Sequence, residues 1–115
     1  MNSVSFVYPC LGYELRADIT MLDEGVHVLL VGGSTTHVGA VTFADEDGIV
    51  ETLQLPGHRD AVVSESWAVM LAAHFCMPVS VACGIHYDGI AKTQIGEVLE
   101  AAQQLLPQAI AKLEQ

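Results

Sequence analysis

The period of the hydrophobic pattern changes at Pro56-Gly57, and this change limits the fold more than any other feature of the chain. Before it, apolar and polar residues alternate, most clearly over residues 13–21, which is typical of a strand with one wet face. After it, apolar residues recur at helical spacing over residues 60–75. The first half is therefore predicted to form strands, and much of the second half to form helices.

Turn residues divide these two halves into elements. Acidic turns ending in glycine, at residues 23–25 and 45–48, separate the predicted strands. The predicted strands are residues 13–21, 26–32, 37–44, 49–55 and 79–85. The predicted helices are residues 60–75, with Asp60 as N-cap, and a second helix from Thr93. We therefore predict an α+β fold in which two helices cover one face of a mainly antiparallel sheet of about five strands.

The second face of that sheet carries apolar residues that the two helices would not cover. Leu29 and Val31 share it with His27, and we also assign Ala40, Thr42 and Ala44 to it. An apolar sheet face is either ordinary exposed surface or a surface that packs against another subunit.

The charge of the chain excludes several classes of partner. Fourteen acidic residues against four Lys and Arg give a formal net charge of -10 over 115 residues. Nucleic acids are bound mainly by basic side chains, and anionic membrane surfaces repel an acidic protein. Residues 67–73, the longest apolar stretch, fall far short of the ~20 residues of a spanning helix. We expect neither a nucleic-acid nor a membrane partner.

Three cysteines indicate the redox compartment. Cys10, Cys76 and Cys83 are odd in number, and none belongs to a C-x-x-C pair. This pattern is typical of reduced thiols rather than of a disulfide framework or a structural zinc site. We therefore expect a cytoplasmic protein.

Three predicted loops each combine glycine with histidine: residues 32–39 with His37, residues 55–60 with His58, and residues 84–89 with His86. Glycine allows close approach of the backbone, and successive amides bind an anion without net positive charge. Neutral hydroxyl donors and two cations are available beside them: Ser34, Thr35, Thr36, Arg59 and Lys92. Together these groups predict a cradle for one phosphate group of a small molecule.

Metal chemistry is an alternative interpretation of the same histidines. His37, His58 and His86 could supply three imidazoles, with Asp60 or Asp88 as a carboxylate ligand or its partner. The chain has no H-x-x-x-H or H-E-x-x-H spacing and no G-x-S-x-G elbow, so we assign no metal ligand and no catalytic residue. A small metal-dependent decarboxylase or hydrolase stays as the enzymatic alternative.

The same loops carry a family resemblance. The segments T-T-H-V-G-A-V at 35–41, L-P-G-H-R-D at 55–60 and G-I-H-Y-D-G-I at 84–90 resemble a family of small proteins, in that order. These are the D subunits that accompany gallate-type and related UbiD-like aromatic acid decarboxylases, and they are described as prenylated-flavin chaperones. The resemblance covers the chain from about Tyr13 onward. The first and third segments are also similar to a proteasome-assembly-chaperone type of fold.

This resemblance implies a noncatalytic protein, a single domain over residues 1–115. It would bind prenylated FMN, or FMN, and deliver it to a UbiD-like decarboxylase catalytic subunit or support that enzyme's maturation, as a homodimer. Motif position assigns nine cofactor-binding residues: Ser34, Thr35, Thr36, His37, His58, Arg59, His86, Tyr87 and Lys92. Tyr87, Phe43 and Trp67 are the candidates for packing against the flavin ring. A purely structural subunit of a decarboxylase complex is the remaining alternative.

Overall fold

The computed structural model describes residues 2–114, which form six strands and two helices. In chain order the elements are β1 (Asn2–Cys10), β2 (Tyr13–Leu22), β3 (Gly25–Gly33), β4 (Ala40–Ala44), β5 (Val50–Gln54), α1 (Ala61–Phe75), β6 (Val79–His86) and α2 (Lys92–Leu113). The predicted α+β class is confirmed.

The strands form one sheet in the order β1-β2-β3-β6-β4-β5. Four of the five pairings are antiparallel, and β3 with β6 is the parallel pair. The sheet is therefore mixed but mainly antiparallel, as predicted. A parallel pair needs a long crossover connection, and here β4, β5 and α1 lie between its two strands in the chain.

The prediction of about five strands omitted β1, which forms an edge of the sheet. Val4, Phe6 and Tyr8 alternate with outward-facing residues and pack partly buried against the core. Leu11 and Gly12 join β1 to β2 with φ values of 51° and 80°. Positive φ at both central residues is the requirement of a type I′ hairpin turn, so this turn sets the register of the first strand pair.

Both helices lie on one face of the sheet. α1 contacts β3, β4, β5 and β6, while α2 contacts β1 and α1. Trp67 of α1 is fully buried, and its indole Nε1 donates a hydrogen bond to the carbonyl oxygen of Ala102 in α2 at 3.1 Å. The predicted two-helix layer is confirmed, and Trp67 joins its two members. Within residues 2–114, no helix is long and apolar enough to cross a membrane.

On the opposite sheet face no helix lies within the part of the chain that the structure describes. Leu29, Ala82, Val41 and Leu53 are consecutive cross-strand partners on β3, β6, β4 and β5, and we call these four residues the apolar row. Leu53 is 81% exposed. Phe43, two residues from Val41 on the same strand, is exposed on the same face.

The assignment of Ala40, Thr42 and Ala44 to this face was wrong. All three are buried on the helix side, where the Thr42 hydroxyl contacts that of Ser64 on α1 at 2.7 Å. Because alternation allows either face, small residues do not reveal which one a strand buries.

Replacement of Trp67 by Phe tests the helix-to-helix contact. Trp67→Phe should lower the free energy of unfolding by about 1.5–3 kcal/mol, because it leaves a cavity and removes the bond to Ala102. Urea unfolding followed by circular dichroism measures this. Met70→Ala, at an exposed position of the same helix, is the matched control and should change stability by less than about 0.5 kcal/mol. Equal stability of Trp67→Phe and the parent would contradict the assigned contact.

Candidate functional site

Strand directions bring the three glycine-histidine loops to one edge of the sheet, an edge formed by the ends of strands and not by an outermost strand. β3 and β6 are parallel, so Gly33 and His86 pair at their common carboxyl ends. β4 runs the opposite way beside β6, and its first residue, Ala40, pairs with both Cys83 and Gln54. The end of β3, the start of β4, and the ends of β5 and β6 therefore share an edge. Ligands of open sheets bind at this kind of crevice beyond the carboxyl ends of parallel strands.

Hydrogen bonds tie these loops to one another. The amide of Ser34 donates to the carbonyl oxygen of His86 at 2.8 Å, and the Ser34 hydroxyl accepts from the amide of Asp88 at 2.9 Å. On the other side, the amide of Gly39 donates to the Cys83 carbonyl at 2.9 Å. The amide of Leu55 donates to the Gly39 carbonyl at 2.8 Å. Each loop is thus held by its neighbours as well as by its own strand.

Two glycines make room for this convergence. A Cβ on Gly84 would overlap the carbonyl of His37, and a Cβ on Gly39 would overlap a carboxylate oxygen of Asp60. Neither glycine has positive φ, so the requirement is space rather than backbone conformation.

At the centre of this edge lie His37, His58 and Asp60, which we call the His-His-Asp cluster. Nε2 of His37 lies 3.2 Å from Nδ1 of His58 and 3.2 Å from Oδ2 of Asp60. Nδ1 of His58 and Oδ2 of Asp60 are 3.5 Å apart. The Asp60 side chain is only 8% exposed, while both imidazoles are partly exposed.

Asp60 occupies the predicted N-cap position of α1, but its side chain does not cap the helix. Its Oδ1 instead accepts a hydrogen bond from the amide of Ile85 at 3.0 Å, which leaves Oδ2 directed at the two histidines. The amide of Ala61 is satisfied by Oε1 of Gln54 at 2.9 Å. The carboxylate is therefore available to the site because a different side chain serves the helix start.

The cluster lines a cavity with a volume of about 490 Å³. That volume lies within the range of small-molecule sites, about 300–1,000 Å³. Its polar lining comes from the loops: His37, His58, Arg59, Asp60 and His86. Its apolar lining comes from α1, β6, the β6–α2 connection and α2: Val63, Ile85, Tyr87, Ile90, Ile95, Val98 and Leu99. The lining can thus contact both a charged group and a flat apolar one.

Of the nine residues predicted from motif position, five line this cavity and four are not among its lining residues. The lining residues are His37, His58, Arg59, His86 and Tyr87. Ser34 connects two loops by hydrogen bonds, Thr35 and Thr36 are exposed in the β3–β4 connection, and Lys92 is the exposed first residue of α2. The three loop histidines are therefore brought together as predicted. His86 is the outermost: its ring centroid lies 6.3 Å from that of His37, and its Nε2 contacts Asp88 at 2.8 Å.

The three aromatic candidates separate into different environments. Trp67 is in the core and Phe43 is on the open sheet face, so neither reaches the cavity. Tyr87 lines it, and its hydroxyl donates to the carbonyl oxygen of Cys10 at 2.9 Å. Burial and this hydrogen bond raise the pKa of Tyr87, so its hydroxyl stays protonated.

Cys83 lies behind the cluster on β6 and is fully buried. Burial, and next the negative charge of Asp60, raise the pKa of the Cys83 thiol far above its usual range. A thiol held protonated is a poor nucleophile and a poor metal ligand. Cys83 therefore contributes packing rather than chemistry to this edge.

Two groups of cavity residues were missed as cofactor-binding candidates. Asp60 was predicted as a cap and as a possible metal ligand, but not as a cofactor-binding residue; the only signal was its place in the segment L-P-G-H-R-D. Ile95, Val98 and Leu99 belong to an apolar stripe of α2, a helix that we predicted only as a cover for the sheet. That stripe is wide enough to cover both the sheet and one wall of the cavity.

The fold is similar to that of a chain in a crystal structure of a chaperone complex for yeast 20S proteasome assembly. The TM-score is 0.58 and the alignment covers 97% of each chain, at 13% sequence identity. At this identity the similarity concerns the fold alone, and it confirms the predicted type of fold.

Sequence comparison gives the family. The chain is 26% identical over 108 residues to protein LpdD of Lactiplantibacillus plantarum, an alignment that covers 90% of this chain and 79% of LpdD. Residues 10–114 match the family described as the prenylated flavin chaperone LpdD-like domain. That match contains β2 through α2 and all three loops of the cavity. The chain therefore belongs to the LpdD-like family of prenylated flavin chaperones.

Proposed function

We propose that this protein binds prenylated FMN in the cavity at the sheet edge and supplies it to a UbiD-like aromatic acid decarboxylase. The observation that carries the proposal is the convergence of three distant loops on one cavity in a chain of this family. The cavity lining combines polar and apolar side chains, as a flavin mononucleotide combines a phosphate and a ring system.

The polar lining residues suit the phosphate. Arg59 is exposed at the cavity, and no hydrogen bond or salt bridge of its guanidinium is found among residues 2–114. A guanidinium binds a phosphate with two parallel hydrogen bonds. His58 and His86 also line the cavity, and an imidazole N–H can donate a hydrogen bond to a phosphate oxygen.

The apolar lining residues suit the ring. Ile90, Ile95 and Leu99 are only partly buried although they belong to the apolar wall, so the folded protein leaves part of that wall in contact with solvent. A planar ring placed there would remove apolar surface from water, at a gain of about 25 cal/mol per Å² buried. Among residues 2–114, Tyr87 is the one aromatic lining residue besides the histidines, and its ring contacts that of Tyr13 edge-on, with 5.9 Å between the ring centroids.

A carrier must also release its ligand to the acceptor enzyme. The residues of the cavity rim, Arg59, His86 and Gly89, are exposed. An open rim allows an enzyme to approach a bound cofactor without unfolding the carrier. UbiD-like decarboxylase is the partner that we propose, from the family to which the chain belongs.

Substitution of Arg59 tests the phosphate contact. Arg59→Ala should weaken binding of prenylated FMN, and of FMN, by about 10- to 150-fold, because a charge-assisted bond of about 1.5–3 kcal/mol is lost. Anaerobic titration followed by absorbance and by calorimetry measures it. Lys112→Ala removes the same charge from the far end of α2 and is the matched control. If the parent protein binds neither flavin, the proposed function is wrong; if Arg59→Ala binds as the parent does, Arg59 is not a ligand.

The same titration, combined with an activity assay on a cofactor-free decarboxylase, distinguishes a carrier from a structural subunit. A carrier binds flavin alone and restores activity to a cofactor-free decarboxylase only after it has been loaded. A structural subunit would associate with the enzyme and give the same stimulation with or without flavin. That second result would replace our proposal.

We also propose that two copies associate through the open sheet face. The apolar row and Phe43 provide the apolar centre, and the charged residues beside them, Arg16 and Asp18, pair with each other at 2.9 Å. A copy carries a formal charge of -10 and Glu51 lies opposite Phe43 on this face, so self-association must depend on burial of the apolar row rather than on charge attraction. A dimer formed here leaves the cavity accessible at the sheet edge.

Leu53→Glu tests the dimer. A carboxylate in the apolar row should convert the dimer to a monomer, as measured by analytical ultracentrifugation, because the buried charge would have no partner. Val62→Glu adds the same charge at an exposed position of α1 and should leave the dimer intact. A parent protein that sediments as a monomer would contradict the proposal, and so would a dimer of Leu53→Glu.

A further inference from the structure

We propose that the His-His-Asp cluster is a binding site for a divalent cation of the zinc type. Nε2 of His37, Nδ1 of His58 and Oδ2 of Asp60 are its ligands, and a fourth coordination position opens into the cavity. Two imidazoles and one carboxylate are a common set of protein ligands for zinc, and an open fourth position takes water or another small ligand.

The spacing of the three atoms fits a tetrahedral cation. They are separated by 3.2, 3.2 and 3.5 Å. With metal–ligand bonds of about 2.1 Å, these separations correspond to angles at the metal of about 100–113°. Such angles are close to the tetrahedral value of about 109° and wider than the octahedral value of about 90°. The geometry therefore favours zinc over magnesium.

The ligands are also held in place by neighbouring groups, which is a feature of built metal sites. The Ile85 amide donates to Oδ1 of Asp60 at 3.0 Å and leaves Oδ2 for the cation. Nδ1 of His37 faces the carbonyl oxygen of Thr35 at 3.5 Å, which favours the tautomer with a bare Nε2. Gly39 allows the carboxylate and His58 to approach its backbone closely.

Hydrogen bonding alone satisfies this arrangement poorly. Nε2 of His37 lies 3.2 Å from both Nδ1 of His58 and Oδ2 of Asp60. A single hydrogen, on Nε2 of His37 or on Nδ1 of His58, can point well at only one of the other two atoms. If neither nitrogen carries a hydrogen, three lone pairs face one another. A cation between the three atoms interacts favourably with all of them.

The site would also change the charge of the cavity, an effect that rests on the proposed function. Asp60 carries a negative charge, is nearly buried and lies among the polar lining residues that we assign to the phosphate. The phosphate itself carries a charge of about -1.5 to -2. Arg59 is the only Lys or Arg in the cavity lining among the described residues. A divalent ion held by one carboxylate and two neutral imidazoles has a net positive charge, so it would convert repulsion of the phosphate into attraction.

The metal site is tested without any flavin. Chelator-treated protein should take up one equivalent of Zn²⁺, and Co²⁺ should give the intense visible absorption of a tetrahedral ion. Asp60→Asn retains the Oδ1 acceptor for Ile85 but loses the anionic ligand, and His58→Ala removes a partly exposed imidazole. Each should weaken zinc binding by at least ~10-fold. The control is His74→Ala, which alters a histidine at the far end of α1 that contacts Glu114.

Two results would overturn the site. The first is less than one equivalent of zinc in the parent protein, with no tetrahedral cobalt spectrum; this measurement needs no variant. The second is equal zinc affinity in the parent, Asp60→Asn and His58→Ala, which would assign the metal to another place such as the exposed thiol of Cys76. Circular dichroism verifies that each variant is folded.

A flavin titration with and without zinc then tests the effect on charge. We expect tighter binding of prenylated FMN with one equivalent of Zn²⁺ than with chelator, and no such difference in Asp60→Asn. Equal binding in both conditions would overturn the electrostatic role of the ion. Zinc bound without any flavin binding would contradict the proposed function and leave the metal site standing, so the two failures are distinguishable.

Discussion

The parallel pairing of β3 with β6 is the constraint on which the rest of the structure depends. It joins residues more than fifty positions apart in the chain, and it places the carboxyl ends of both strands at one edge. β4 then pairs beside β6 in the opposite direction, so the connections that enter and leave the β4–β5 hairpin fall at that edge as well. Without this pairing, His37, His58 and His86 would lie in three unrelated turns.

This pairing also explains which properties could be predicted from the sequence. Local patterns identified β2, β3, the β4–β5 hairpin and α1, because periodicity, turn residues and the Pro56-Gly57 break are short-range signals. β1 was missed although Val4, Phe6 and Tyr8 alternate in the same way. In this segment, however, the apolar residues Val7 and Pro9 occupy outward positions, so its alternation is less complete than that of β2.

The candidate site divides along the same line. The three histidine loops were found, because glycine next to histidine is visible in a short segment, and the family resemblance supplied the ligand class. Asp60 was considered as a possible metal ligand but not as a cofactor-binding residue, since an acidic residue before a helix predicts a cap. Only the structure shows that Ile85 binds its Oδ1 and that Gln54 serves the first amide of α1. The cavity wall from α2 was equally hidden, because apolar residues beside a cavity and in a core have the same sequence pattern.

The acidity of the protein adds a further requirement for any anionic ligand. A formal charge of -10 opposes the approach of a phosphate ester from solution, and Asp60 opposes it again inside the cavity. Binding must therefore depend on groups within a few ångströms of the phosphate, where short-range hydrogen bonds and a local cation outweigh a distant field that salt screens within about 8 Å. A carrier of the kind proposed would hold its ligand by such local contacts. It would then lose the ligand when an acceptor enzyme provides stronger ones.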